Sequence, residues 1–320
     1  MTPLSRKKAE RRQTSLTKTV RTRHRHHRHR SLIGMTTDGY SFHHGHQIFD
    51  YSTPIMQHCD TSPAPSLRVT FLGTGTSVGV PSIGCGCKVC TSSDLHDKRL
   101  RSSILVESAT TRLLIDCGPD FRQQILPLPF RPIHGVLLTH YHFDHVTGID
   151  DLRPFCVFGT VDIYAEQTTI DNLRQTIPYC FGDNPYPGIP HLDFREATLH
   201  HPFTVGDIEI VPVRVMHGKM PIFGYRMGKL AYITDMKYMN DAELPYLDGI
   251  TTLVVNALRF DNPHHSHQSV ADAIAFAKKT TAQRVFFTHM SHQIGLHREV
   301  NRILPGNILL AFDGQVIDIG

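Results

Sequence analysis

The stretch THYHFDH (residues 139–145) ends an apolar run, GVLLTH (135–140), and places four metal-binding side chains within six residues. It fits His-x-His-x-Asp-His. In an extended or irregular segment, residues two apart point to the same side, so His140 and His142 can chelate one cation. Asp144 and His145 can then turn toward a second. Imidazole and carboxylate donors without thiolate suit Zn, Mn or Fe.

Two neighbouring metals need more donors than one loop carries. Further along the chain, His217 follows VPVRVM, Asp235 follows AYIT and His289 follows VFFT. Each stands where an apolar run stops, the position at which a β scaffold presents site residues on rigid supports. Asp235 is the natural bridging carboxylate. The same periodicity predicts strands at 67–73, 102–107, 112–118, 209–215, 222–227, 230–234, 252–256, 284–288, 307–311 and 315–319, besides the run that ends at the quoted motif. Helices are predicted at about 166–177, 269–279 and 295–303. Strands and helices intermix without strict βαβ alternation, which favours two packed sheets with outer helices over a doubly wound parallel sheet. The segment PYCFGDNPYPGIPH (178–191) reads as a lid or rim of the pocket.

A second cluster lies upstream. Three of the seven cysteines form GCGCKVC (84–90), a Cys-x-Cys-x-x-Cys clip suited to a tetrahedral zinc site that needs a fourth donor. Its spacing is not that of a disulfide framework, so a reducing, cytoplasmic location is expected. Cys59, Cys117, Cys156 and Cys180 read as buried or incidental.

The charge of the 320-residue chain is uneven. Residues 1–65 carry +7 and eight of the 23 histidines, while the remaining 255 residues carry −3. The segment RTRHRHHRHR (21–30) has neither helical nor strand periodicity, so 1–65 is expected to be a disordered basic leader and 66–320 a single folded domain. The leader reads as a solvated or over-extended start; a nucleic-acid or anionic-surface arm is its functional alternative. No apolar run approaches the roughly 18 residues of a membrane-spanning helix, and no secretory h-region follows the basic residues. An organellar transit peptide stays open.

These residues carry a resemblance. From 67 to 320 the sequence resembles the metallo-β-lactamase superfamily, and FLGTGTSVGVPSIGCGCKVC (71–90) with THMSHQIGL (288–296) is similar to its phosphoribosyl 1,2-cyclic phosphate phosphodiesterase branch. The resemblance implies an αββα sandwich, an α/β (α+β) fold of two packed mixed sheets with outer helices. It implies that His140, His142 and His217 hold one divalent metal, that Asp144, His145 and His289 hold the other, and that Asp235 lies between them. Asp116, in LLIDCG, would orient a ligand histidine from behind. Cys85, Cys87, Cys90 and His292 would hold a structural zinc, giving about three metals per chain: two exchangeable Zn or Mn ions and one tight Zn.

Two metals about 3.5–4 Å apart make a bridging hydroxide available near neutral pH, which can attack a phosphodiester in line. The resemblance places the general acid at His267, in PHHSHQSVADAIAF; His265 is the competitor. The expected activity is therefore hydrolysis of a small cyclic or ribosyl phosphodiester. A tRNA 3′-end endonuclease would want an RNA-clamping insertion, and no long basic insertion interrupts the domain. A non-hydrolytic protein like pyrroloquinoline quinone biosynthesis protein B shares the clip but commonly has an altered active-site motif, whereas every expected donor stands here. Thiolester and β-lactam hydrolysis are weaker alternatives, since fold does not fix substrate. The expected partner is a small phosphodiester. A membrane partner is not expected, nucleic acid is disfavoured except through the leader, and a homodimer is left open. GTGTSVG (73–79) lacks the Gly-Lys-Ser/Thr ending of a phosphate-binding P-loop and reads as a turn near the active-site rim.

Overall fold

The computed structural model describes residues 67–181 and 188–320. The expected leader, Cys59 and residues 182–187 of the expected rim lie outside the described residues.

Fourteen strands are described. They are β1 (Leu67–Gly73), β2 (Ser103–Glu107), β3 (Arg112–Ile115), β4 (Gly135–Leu137), β5 (Val161–Ala165), β6 (Leu192–Glu196) and β7 (Phe203–Val205), followed by β8 (Ile208–His217), β9 (Met220–Met227), β10 (Leu230–Ile233), β11 (Thr252–Asn256), β12 (Arg284–Thr288), β13 (Ile308–Leu310) and β14 (Val316–Ile319). They form two seven-stranded sheets, ordered β14-β1-β2-β3-β4-β5-β6 and β13-β12-β11-β10-β9-β8-β7. In each sheet three antiparallel pairings give way to three parallel ones: β3, β4, β5 and β6 run parallel, as do β10, β11, β12 and β13.

Strands such as SILVE are apolar on successive residues because both faces of each sheet are covered. Ile104 and Val106 of β2 face the inner core with Val69, Phe71, Phe223, Tyr232 and Phe286. Leu105, between them, joins a separate outer core with Leu114, Val136, Phe121, Leu152 and Leu173. The other sheet does the same: Val254 packs inward, while Leu253 and Val255 pack outward against Val270, Ala273 and Phe276. The result is the expected four-layer αββα arrangement. The outer layers come from the helices α1 (Phe121–Ile125), α3 (Gln167–Thr176) and α4 (Val270–Ala277); the short α2 (Phe143–Val146) and α5 (His297–Asn301) complete the set.

The expected helix at 269–279 forms as α4, opened by a reciprocal capping box between Ser269 and Asp272. The one expected at 295–303 is reduced to α5, because Gly295 sits at φ 103° and leaves only a short 3-10 turn, His292–Ile294, before it. Strands β5, β6 and β7 were not expected from the pattern. β6 is an edge strand with mostly exposed residues, and β7 has only three, so neither carries a burial period long enough to read.

Candidate functional site

The quoted motif begins two residues beyond β4. Its neighbours in space are the C-terminal ends of β3, β8, β10 and β12, which deliver Asp116, His217, Asp235 and His289. Three of these four break the strand in the same way. Asp116, Asp235 and His289 have φ of 61°, 57° and 52°, left-handed values that few non-glycine residues adopt. Each such residue costs on the order of 1–3 kcal/mol and persists only where surrounding structure over-determines it. The strain turns the chain sharply at the point where the side chain must point inward.

The donors fall into overlapping groups. His140, His142 and His217 converge with one donor atom each lying within 4.8 Å of the others, Asp144, His145, Asp235 and His289 do the same, and a third set, His217, Asp235 and His267, joins the two. His145 Nε2 stands 3.2 Å from both Asp144 Oδ2 and Asp235 Oδ2, and His289 Nε2 stands 3.1 Å from Asp235 Oδ1. Yet His140 Nε2, His145 Nε2 and both His289 ring nitrogens are buried without an aligned hydrogen-bond partner. Burying polar atoms unpaired is costly, so orphaned nitrogens among converging donors fit cations rather than a hydrogen-bonded core. The donor set therefore fits two divalent metals.

The outer nitrogens of these rings are held from behind. His145 Nδ1 pairs with Asp116 Oδ2 at 2.7 Å, and Asp116 also accepts from the Thr139 backbone and hydroxyl. His217 Nδ1 donates to the Asp235 and Ser266 carbonyls at 2.7 and 3.0 Å. Burial lowers His140 well below its ordinary value, keeping an imidazole lone pair free. For Asp144, burial acts upward, but the His145 charge and hydrogen bonds from His145 and His289 outweigh it and hold the carboxyl below the usual range. Such supports fix ring orientation and tautomer, the role the resemblance gave Asp116.

The motif loop is locked by close backbone packing. A Cβ at Gly118 would stand 2.0 Å from the Asp144 carbonyl oxygen, and one at Gly148 would stand 2.1 Å from that of Gly118. Around them, the Cys117 amide donates to His145 O and the Gly148 amide to Cys117 O, both at 2.8 Å. Gly118→Ala is therefore expected to displace the motif loop, lowering bound metal and thermal stability together by more than a surface Gly→Ala change, as metal analysis and a melting curve would show.

His267 lies 2.9 Å from Asp235 Oδ1 through Nε2 and is buried, whereas His265 is exposed. Of the two candidates, the fold brings His267 and not His265 against the donor cluster. Burial lowers His267 to about 4, against the raising pull of its hydrogen bond with Asp235. His264, which the sequence reading passed over, packs against His267; three histidines in four residues gave no sign of which would turn inward. Beside the motif opens a cleft of about 390 Å³ lined by Tyr141, Phe143, Asn172, Leu173 and Thr176 together with His142 and Asp144.

The fold brings the clip and the late histidine together. Cys85, Cys87, Cys90 and His292 bring one donor atom each within 4.8 Å of one another, and His292 Nδ1 is 3.4 Å from Cys85 Sγ and 3.2 Å from Cys87 Sγ. A tetrahedral zinc with ~2.3 Å bonds to sulfur needs donors at about this spacing. The hydrogen bond with His292 lowers the Cys87 thiol to about 6, while burial pushes Cys90 up to about 11. The GTGTSVG segment ties the two centres together: Thr76 donates to Met290 O at 3.0 Å, and Met290 donates to Thr74 O at 2.9 Å. Gly73 is required there, since a Cβ would stand 2.0 Å from Arg101 O. Of the remaining cysteines, Cys117 is fully buried and Cys156 and Cys180 are half-buried.

Comparison with known proteins agrees with this architecture. A family profile described as a beta-lactamase superfamily domain matches residues 111–290. The crystal structure of a new diphosphatase from the PhnP family is 37% identical, with a TM-score of 0.73 over 79% of this chain and 98% of that one. Zn(2+)-bound PqqB from Methylobacterium extorquens, at 20% identity and a TM-score of 0.65 over 79% of this chain and all of that one, shares the fold. Among curated sequences, an octanoyltransferase of Porphyromonas gingivalis is 45% identical over 249 residues, 78% of this chain and 51% of its own length. The chain spans about half the length of the curated relatives it matches. No helix among the described residues is long and apolar enough to cross a membrane. With two seven-stranded sheets, a superfamily profile over more than half its length and a PhnP-family relative matched nearly end to end, the chain belongs to the beta-lactamase superfamily.

Proposed function

We propose that this protein is a di-metal phosphodiesterase acting on a small cyclic or ribosyl phosphodiester. The observation that carries the reading is the convergence of two donor groups that adjoin through Asp235, with the buried His267 at hydrogen-bond distance from the same carboxylate. His140, His142 and His217 would hold one cation and Asp144, His145 and His289 the other, with Asp235 between them. Two cations so held would supply Lewis acidity toward water and toward the phosphoryl oxygens. Zn or Mn suits the active-site donors, and Zn suits the thiolate clip.

The chain's own residues do the rest. Asp116 and the two carbonyls behind His217 fix ring orientation before substrate arrives, so no reorganisation is needed at the reacting centre. The cleft beside the motif accepts a small organic group and has no Lys or Arg in its lining, which suits one phosphodiester better than a polyanion. His267 delivers a proton from Nε2 to the departing oxygen. An anionic phosphodiester entering beside it favours the protonated ring.

The 45% identity to an octanoyltransferase supports acyl transfer as the second reading, although that name covers a protein about twice the matched length. Purified protein loaded with Zn or Mn should hydrolyse bis(p-nitrophenyl) phosphate and leave p-nitrophenyl octanoate untouched; the opposite pattern replaces the proposal with acyl chemistry. His267→Ala should lower phosphodiester turnover by about 10²-fold or more, the usual contribution of a general acid, while metal content stays constant. Loss of metal in that variant would make His267 a ligand.

A further inference from the structure

The cleft beside the motif has two walls of different chemistry. One is the motif itself, where Tyr141 and Phe143 alternate with the proposed metal-binding His142 and Asp144. Phe143 opens α2, and its carbonyl accepts from the Thr147 amide at 3.1 Å and the Thr147 hydroxyl at 2.7 Å. Its backbone is thereby pinned, while its side chain stays 68% exposed. Tyr141 turns its ring edge-on to His142, with centroids 5.7 Å apart at 82°, which seats a second aromatic ring beside the donors. Fixed aromatic rings of this kind present large apolar faces at little entropic cost.

The other wall is one face of α3, where Asn172, Leu173 and Thr176 recur at helical spacing. Leu173 is buried in the outer core and seats the helix. Thr176 donates its hydroxyl to the Asn172 carbonyl at 3.1 Å, and Asn172 Nδ2 donates to the Thr168 carbonyl at 2.8 Å. The second bond fixes which end of the Asn172 amide is nitrogen, because a carbonyl oxygen can only accept. Asn172 Oδ1 then accepts no hydrogen bond among the described residues. The cleft therefore offers an aromatic face on one side and an open acceptor on the other, and no Lys or Arg lines it to meet a second phosphate. A purely aliphatic occupant would leave that acceptor unpaired, whereas a ring with an N–H on its edge satisfies it.

We infer that this cleft holds an aromatic ring carried by the substrate beside its phosphodiester, with the ring against Phe143 and an N–H on its edge donating to Asn172 Oδ1. The inference rests on the phosphodiesterase reading and narrows its substrate class to esters bearing an amino-substituted aromatic ring, the chemistry of an amino-substituted nucleobase. The volume of about 390 Å³ lies within the range of pockets that take one small organic ligand. His142 and Asp144 belong to the same lining, so a ring seated here brings the phosphodiester it carries to the donor cluster. Phe143 and Asn172 act on substrate choice rather than on the chemical step, so their contribution is read mainly in KM.

The test uses the zinc-loaded, full-length protein and ribose 2,3-cyclic phosphates that differ only in the group on the anomeric carbon, so the departing ribose oxygen is the same throughout. The adenine ester should exceed the cyclohexyl riboside, which has no aromatic face, by about tenfold or more in kcat/KM, chiefly through KM. The unsubstituted purine ester, which lacks the amine, should fall between them. Phe143→Ala should cut the adenine-to-cyclohexyl ratio by about tenfold, and Phe143→Tyr should keep it. A general disturbance of the neighbouring metal ligands lowers both esters alike and leaves that ratio unmoved. Asn172→Ala should close the gap between the adenine and purine esters. A cyclohexyl ester cleaved as well as the adenine ester, a ratio that survives Phe143→Ala, or an unchanged gap in Asn172→Ala overturns the inference. If the wild type cleaves none of these esters, the phosphodiesterase reading falls and calorimetry decides the cleft separately. Adenosine 2′-phosphate should then bind about tenfold more tightly than the cyclohexyl riboside 2-phosphate, and equal affinities overturn the assignment.

Discussion

Asp235→Asn is expected to turn over bis(p-nitrophenyl) phosphate on the order of 10²–10³-fold more slowly than the wild type, the scale on which removing one preorganised charge from a catalytic site acts. Asp235 is the carboxylate that both donor groups adjoin. One of its oxygens faces His145 at 3.2 Å, and the other faces His267 at 2.9 Å and His289 at 3.1 Å. Asn keeps the shape and removes the negative charge. Three buried histidines then crowd a neutral amide, and two cations lose the anion between them. Buried charges of one sign are costly unless compensated, so metal occupancy should fall as well. Elemental analysis of the purified variant should show fewer exchangeable metals while the tight one remains. Turnover within threefold of the wild type, with metal retained, would remove Asp235 from the centre of the mechanism.

The second large effect concerns stability. Cys90→Ser should remove the tight zinc and lower Tm by about 10 °C, the shift that roughly 4 kcal/mol produces in a domain of this size. The clip has little else to hold it: its apolar support is a small cluster of Val80, Val89 and Cys90 with Leu296 packed alongside. Metal binding energy in such a closed site is folding energy, because the unfolded chain has no preformed site. His292→Ala should act in the same direction and reach the active site too. His289 is only three residues away, and the Met290 backbone between them pairs with Thr74 and Thr76. Turnover should therefore fall in His292→Ala even with excess Zn or Mn supplied. An unchanged melting temperature in both variants, with zinc content intact, would show that the clip holds no structural metal.

Much of this was legible in the residues because short-range pattern and side-chain chemistry coincide. The motif 139–145 needs a buried strand before it and a loop after it, and both are read from GVLLTH running into polar donors. Successive apolar residues in β2, β3, β11 and β12 report sheets covered on both faces, since only such strands bury every side chain. The exposed edge strand β6, the three-residue β7 and the Pro154-containing 3-10 segment Ile149–Phe158 were illegible for the converse reason. Their conformation is set by long-range packing rather than local preference: Leu192 and Phe194 of β6 join Leu152 and Phe155 of the 3-10 segment in the outer core, and Val205 of β7 joins the inner one. The left-handed backbone at Asp116, Asp235 and His289 was equally invisible, because neither Asp nor His announces a positive φ as glycine does.

The sequence by itself determined the kinds of donor, their order along the chain, and the layered fold that could present them at strand ends. Only the tertiary structure decided which of the clustered histidines turn inward. His264, His265 and His267 have the same side chain within four residues, and no periodicity governs an irregular loop that starts near Asn262 at φ 56°. The choice is made by long-range partners: Asp235, thirty-two residues away, takes His267 Nε2, the Ser266 amide takes His264, and His265 is left to solvent. Chemistry at a site is a property of residue type and can be read in one dimension. Direction is set by groups that folding brings from distant strands, and it exists only once they have met.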